Sequence, residues 1–183
     1  MELFLSKIDS PLGELLLVTD EEGAIHALDF ADHRQRLVRG LQARHAATDL
    51  MEREAPAAIT SAIGRYFSGD FGALDELPVV LEGSQLEKRV WAALRGIPSG
   101  TTVSYGKLAK SLGFSDPRAA IDIGAANKVN PVAIVVPCHR VIASDGGLKG
   151  YAWGLHRKRW LLEHEKAIPQ QSQAPSTHDL PGL

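Results

Sequence analysis

Cys138 is the chain's only cysteine and is followed directly by a histidine, His139, in the stretch VVPCHRVIASDG over residues 135–146. Together they offer the parts of nucleophilic chemistry, a thiol to attack and an imidazole to act as base. A free thiol with a pKa of about 8.5 is only a few per cent thiolate at neutral pH, so a nucleophilic Cys138 needs a base or a positive field beside it. His139 is the nearest base. Neighbouring side chains on an extended chain point to opposite sides, however, which makes a relay through water easier to build than a direct thiol–imidazole bond. A carboxylate must then orient the imidazole, and Glu163 and Glu165 are nearest in the sequence that follows. The bland role for an isolated cysteine is that of a small buried hydrophobe. Pro137, which breaks the apolar run, and the polar pair His139-Arg140 mark a special turn instead.

The elements that must position these groups are legible from the start of the chain. ELFLSKI, GELLLVT and AIHALDF are short apolar segments separated by DSPLG and DEEG, the pattern of an antiparallel meander. Helices are expected over about 34–45 and 55–67, the second ending at Ser68-Gly69. After the linker GDFGALDELP, Ser84 and Glu87 have the spacing of a capping box, and Leu86, Val90, Trp91 and Leu94 form the buried stripe of the helix it opens. TTVSYGKLAKSLGFSDPRAAIDIGAANKVNP then gives two short helices joined by a Gly-containing turn. This is either a helix-turn-helix or an ordinary helical hairpin, with Pro117 suited to the first turn of its second helix. PVAIVV fits a buried strand or extended segment delivering Cys138, a turn is expected at 145–147, and a last helix over about 154–165. The end, AIPQQSQAPSTHDLPGL, is polar and Pro-rich, as disordered tails are.

Composition narrows the setting. The chain has 183 residues, 44% hydrophobic and 23% charged, the profile of a globular protein with room for one large or two small cores. One cysteine excludes an internal disulfide framework and a multi-cysteine zinc site, which points to the reducing cytoplasm. No stretch reaches the roughly 18 apolar residues of a membrane span, and the N-terminus lacks a basic region followed by an apolar one, so neither export nor a membrane partner is expected. The net charge of −2 conceals opposite halves. Residues 1–84 carry 7 Lys/Arg and 15 Asp/Glu, giving −8, whereas residues 85–183 carry 13 and 7, giving +6. The second half therefore suits an anionic partner, unless its charge is only a solvated basic face.

The segment PVAIVVPCHRVIASDGGLKGYAWGLHRKRWLLEHE resembles the active-site region of the O6-alkylguanine-DNA alkyltransferases, and the similarity extends back through VWAALRGIPSGTTVSYGKLA, spanning about Leu86 to Glu165. SPLGELLLV near the N-terminus is similar to that family's first domain. The resemblance implies a mixed α/β (α+β) chain: a small N-terminal α/β supporting domain with an antiparallel sheet over 1–82, a mainly helical, winged-helix-like catalytic domain with a helix-turn-helix over 83–166, and a tail over 167–183. It implies stoichiometric DNA repair, in which Cys138 takes an alkyl group from O6-alkylguanine, or O4-alkylthymine, in DNA and stays alkylated. No cofactor and no obligate protein partner is implied. By position, Cys138 resembles the nucleophile, His139 the base acting through water, Glu165 its orienting carboxylate, Asn130 the brace of the active-site turn and Tyr105 a hydroxyl that reaches guanine N3. The backbone at Val141, Ser144 and Ala152, together with Tyr151 and Trp153, falls where the family lines its base pocket. Arg118, Ala119, Ala120, Ile121 and Gly124 fall on the helix laid against DNA, from which the target nucleotide is extruded.

Departures from the family's pattern carry expectations of their own. Ile121 stands where the family has an intercalating arginine, Asp122 where it has a small neutral residue, and Arg118, three residues before Ile121, is placed to restore part of the charge. Trp153 stands where some members have glycine, which predicts a pocket narrowed against bulky alkyl groups. The zinc site of some members' first domain lacks its cysteines here. Two rival functions remain at this stage: a cysteine hydrolase, disfavoured because its thiol and imidazole normally touch, and a protein that recognises alkylated bases without removing the group, disfavoured because such relatives replace the cysteine.

Overall fold

The structure, a computed structural model, describes residues 1–45 and 49–171. Strands β1 (Leu3–Ile8), β2 (Leu15–Thr19) and β3 (Ile25–Phe30) form the expected antiparallel meander, and β4 (Leu50–Glu52) joins the free edge of β1 in parallel, giving the order β3-β2-β1-β4. The unbroken run Leu15-Leu16-Leu17-Val18 of β2 is explained by burial on both faces. Leu15 and Leu17 enter a large core with Leu28, Trp91 and Val136, while Leu16 and Val18 meet Leu37 and Leu41, four residues apart on helix α1 (Arg34–Arg44). The sequence pattern does not reveal β4, whose three residues are too few and too polar for a period-2 signal.

Helix α2 (Ala57–Phe67) buries Ile59, Ala62, Ile63 and Tyr66 along one stripe. Helix α3 (Gln85–Arg95) begins at the predicted capping box: the Glu87 amide donates to Ser84 Oγ at 3.1 Å, and the Ser84 amide to Glu87 Oε2 at 3.0 Å. Strand β5 (Val103–Ser104) leads into α4 (Tyr105–Ser111), and α5 (Ala119–Lys128) packs against α4 to complete the helix-turn-helix pair. Helix α5 starts two residues later than Pro117, because Asp116 Oδ1 accepts from the Arg118 amide at 2.9 Å and holds 116–118 as a turn. Strand β6 (Val141–Ile142) pairs in parallel with β5, and α6 (Leu155–His164) closes the described chain.

The apolar run after Asn130 is not a strand. It is a buried series of tight turns, tied to the first sheet by Leu28 of β3, whose amide donates to Pro131 O and whose carbonyl accepts from the Ala133 amide. One core therefore runs from the sheet through α3 to α6, and the active-site turn sits inside it. No helix among the described residues is long and apolar enough to cross a membrane. Of the polar tail, residues 172–183 lie outside the described residues.

Candidate active site

Asn130 builds the turn that presents Cys138. Its side chain, fully buried, accepts from the Val132 amide at 2.9 Å and donates to Val136 O at 2.8 Å, clamping both ends of the bend. Inside the clamp Ile134 is held at φ 68°, a conformation that a β-branched residue adopts only under constraint. Pro137, at φ −84° and ψ 63°, then makes an inverse γ-turn in which the Cys138 amide donates to Val136 O at 2.8 Å. These turns launch one 3-10 turn, Cys138–Arg140, whose three side chains are all buried.

Behind Cys138 lies a closed hydrogen-bond network. His139 Nε2–H donates to Glu165 Oε2 at 2.9 Å, and Arg140 grips the same carboxylate with Nε on Oε1 at 2.8 Å and Nη2 on Oε2 at 2.9 Å. Arg140 Nη1 donates to Ile97 O at 2.7 Å, and the Tyr66 hydroxyl, from α2, donates to Glu165 Oε2 at 2.6 Å. Burial alone would raise the Glu165 carboxyl, but His139 and Arg140 outweigh it and hold Glu165 well below the usual carboxylate range. His139 is pushed down by burial, which favours the neutral ring, with Glu165 opposing. With Nε2–H committed to Glu165, the accepting nitrogen is Nδ1, which is buried and has no partner among the described residues. Burial pushes the Cys138 thiol up, while the Asn130 side chain and the Lys158 and Arg36 charges pull the other way. Lys158, itself lowered to about 8 by burial, donates to Val141 O at 2.6 Å and Gly150 O at 3.2 Å, pinning the two segments that flank the site.

Cys138 opens onto a cavity of about 490 Å³, within the range of small-molecule sites. Ala120, Gly124, Asn127 and Lys128 of α5 form one wall, and Lys149, Gly150, Tyr151 and Ala152 another, with Tyr105 beside them. The Tyr105 hydroxyl donates to Lys149 O at 3.3 Å; burial raises its pKa, and Cys138 adds to the effect. Among the described residues no group of three or more His, Cys, Asp and Glu side chains is placed to hold a metal ion.

The structure thus gathers Cys138, Tyr105, Tyr151, Ala152, Ala120 and Gly124 around one cavity, with His139, Glu165 and Asn130 directly behind it. It separates others. Trp153 does not line the pocket: its indole is fully buried behind the Tyr151 ring, with Nε1–H donating to Asp29 Oδ1 and the Arg36 guanidinium stacked 4.4 Å from the ring centroid. Asp29 supplies the buried acceptor that the indole needs, its carboxyl raised to about 6 by burial. Neither Val141, buried in the core, nor Ser144, in the turn after β6, contributes backbone or side chain to the lining of the cavity, whereas Ala152 does. Ala119 faces inward at 6% exposure and offers DNA no side chain. Ile121 projects into solvent, 73% exposed, and Asp122 is exposed beside it. Arg118 is exposed too, but its guanidinium is paired with Asp116 at 2.9 Å, so it does not stand free to replace an arginine at position 121.

Several site residues escape the sequence pattern. Tyr66 reads as one of four apolar-stripe positions on α2, and its partner Glu165 is 99 residues away. Arg36, on the exposed side of an ordinary helix pattern, donates to Lys128 O and Asn130 O at 2.8 Å each and so holds the end of α5 and the start of the active-site turn from the N-terminal half. Asn127 differs, because a polar residue on the buried face of α5 is a visible signal.

Two family models match the chain: the ribonuclease-like domain of 6-O-methylguanine DNA methyltransferase over residues 3–81, and the DNA binding domain of the same family over residues 85–167. The methylated-DNA--protein-cysteine methyltransferase of Salmonella typhimurium is 40% identical over 167 residues, covering 90% of this chain and 96% of that protein. Its counterpart in Methanosarcina barkeri is 41% identical over 164 residues, covering 90% and 98%. The crystal structure of Mycobacterium tuberculosis OGT in complex with DNA superposes with a TM-score of 0.74 at 36% identity, covering 90% of this chain and 93% of that one. The chain belongs to the 6-O-methylguanine DNA methyltransferase family.

Proposed function

We propose that this protein repairs DNA by moving an alkyl group from O6 of guanine, or O4 of thymine, to its own Cys138, once per molecule. The observation that carries the reading is a lone buried thiol opening onto a cavity with room for a base, backed by an imidazole whose one nitrogen is fixed on a buried carboxylate and whose other has no partner among the described residues. The Cys138 proton passes through water to His139 Nδ1, and the imidazolium is stabilised by Glu165. The thiolate attacks the alkyl carbon, an S–C bond forms, the C–O6 bond breaks, and its electron pair leaves on the base. Tyr105 Oη–H at N3 and the Ala152 amide at O6 meet that charge, and the base takes up one proton. The thioether has no route to release, so the protein is spent.

The same reading lays α5 against the DNA, with the target base extruded into the cavity, and places the work in the reducing cytoplasm. It treats residues 1–82 as a supporting domain, 83–166 as the catalytic domain and 167–183 as a tail. Mass spectrometry after incubation with a duplex bearing one O6-methylguanine tests it: one methyl group per molecule is expected, on Cys138, and none in Cys138→Ala. Product accumulating beyond one equivalent would instead mark a cysteine hydrolase, and binding of the lesion without a mass change would mark a recognition protein.

A further inference from the structure

Every residue of β3 is buried, yet position 29 carries a carboxylate where an aliphatic side chain would avoid the cost of desolvation. The partners of Asp29 show what that carboxylate holds. Trp153 Nε1–H donates to its Oδ1, and Arg36 Nη1 reaches Oδ1 at 3.3 Å and Oδ2 at 3.4 Å. Each partner in turn holds one wall of the cavity at Cys138. Arg36 Nη2 donates to Lys128 O and Asn130 O at 2.8 Å each, fixing the end of α5 and the start of the active-site turn. Trp153 directly follows Ala152 of the other wall, and its indole packs edge-on against the Tyr151 ring, the centroids 5.0 Å apart. The Arg36 guanidinium, 4.4 Å from the indole centroid, joins the two arms. None of these three side chains lines the cavity itself.

We propose that Asp29 is a positioning residue for alkyl transfer: through Arg36 and Trp153 it sets the spacing of the two cavity walls, and so the place of an extruded base relative to Cys138. Rates of reactions between held groups depend steeply on that spacing, since a misplacement of about 1 Å can slow them by about a hundredfold. This rests on the alkyl-transfer reading above and deepens it, because a residue of the N-terminal sheet then contributes to the chemical step. Leu28, its neighbour on β3, already ties the same strand to the active-site turn at Pro131 and Ala133. The two arms can be cut separately. Asp29→Asn keeps an acceptor for the indole and loses the charge that holds Arg36. Trp153→Phe keeps a ring beside Tyr151 and loses the N–H. Asp29→Ala cuts both.

Single-turnover methyl transfer to Cys138 from a single-stranded oligonucleotide bearing one O6-methylguanine, followed by mass spectrometry at rising oligonucleotide concentration, reads three quantities. The amplitude gives the fraction of competent molecules, the plateau gives the rate constant of the saturated complex, and the midpoint gives the half-saturation concentration. Asp29→Asn and Trp153→Phe are each expected to lower the saturated rate constant about tenfold, the worth of one net hydrogen bond. Amplitude should stay near one methyl group per molecule, and half-saturation should stay within about twofold, because Asp29 does not hold the outer face of α5. Asp29→Ala should be slower than either, and adding Trp153→Phe to it should change the rate constant by less than about twofold, since the indole has already lost its acceptor. A residue that only supports the fold would lower the amplitude and leave the rate constant of the competent molecules unchanged. That result, or a Trp153→Phe effect as large in Asp29→Ala as in the wild type, overturns the assignment while Cys138 methylation itself still stands. Should Asp29→Ala not fold, the rate constant and amplitude of Asp29→Asn decide the matter. If the wild type takes no methyl group, the alkyl-transfer reading fails first and the role of Asp29 falls with it.

Discussion

The two sides of Cys138 are built on opposite terms. Behind it, His139, Arg140, Glu165, Tyr66 and Asn130 are buried and bonded to one another or to nearby backbone, so each is fixed by partners the protein supplies. In front, the outer face of α5 presents Arg118, Ile121 and Asp122 to solvent, where a bound nucleic acid would supply the partners. The comparison separates two kinds of constraint. A group inside a closed network cannot change without leaving another buried polar group unpaired, whereas a group on the open face changes at the cost of the binding step alone. This chain keeps His139, Glu165 and Asn130 as the family resemblance implies and departs from it at Ile121 and Asp122.

Breaking the closed side should have the largest effect. Glu165→Ala leaves the Arg140 guanidinium and the Tyr66 hydroxyl buried without their acceptor, and is expected to cost about 3–5 kcal/mol of unfolding free energy in denaturant titrations. The pH dependence follows from the direction of the shift. Glu165 is held below its ordinary value of 4.5, so its contribution is fully present above that value and is lost as pH falls toward the lower, folded-state value. The stability gap between wild type and Glu165→Gln should therefore narrow over roughly pH 5 to 3. A gap that stays constant over that interval would show that the carboxylate is not ionised in its network.

Tyr66→Phe sharpens the comparison, because it removes one donor to Glu165 without creating a cavity. A hydrogen bond to a charged group contributes about 1.5–3 kcal/mol, and a loss of that size is expected on denaturation. The rate profile distinguishes positioning from mere support. With one donor fewer, the carboxylate pulls harder on the imidazolium, and the acid limb of the transfer rate against pH should move to higher pH. A stability loss with an unmoved acid limb would confine Tyr66 to a structural role.

Legibility in the sequence divides along the same line. The meander, the α3 capping box, the helix-turn-helix and the Cys138–His139 pair are visible because each is a local pattern of residue type and spacing. The Tyr66–Glu165 bond and the Arg36 grip on the Lys128 and Asn130 carbonyls join positions 99 and more than 90 residues apart, and nothing local in α1 or α2 distinguishes them from ordinary helix residues. PVAIVV misleads for a physical reason: its composition suits a strand, but Asn130 takes both ends of the bend and the Ile134 backbone turns left-handed between them. Trp153 misleads because motif position locates the backbone while the side chain follows its hydrogen-bond partner, here the buried Asp29.

The open side should give the smallest effects, and on affinity rather than chemistry. Ile121 can act as a wedge, since apolar side chains inserted between base steps unstack them, but it offers nothing to the phosphates. Asp122 beside it repels them, and the nearest arginine on α5 is already paired with Asp116. Each phosphate contact contributes roughly 0.9 to the logarithmic salt dependence of duplex binding. Ile121→Arg should therefore tighten duplex binding and steepen its salt dependence by about that amount, while Asp122→Ala should tighten it a few-fold, most clearly at low ionic strength. Single strands need no unpairing, so the gain should be smaller there in both binding and transfer rate. Salt titrations of duplex and single-stranded oligonucleotides, followed by fluorescence anisotropy, measure both quantities. An unchanged slope and affinity in both variants would mean that the outer face of α5 does not meet the duplex, and that the departures at 121 and 122 are neutral because another surface holds the DNA.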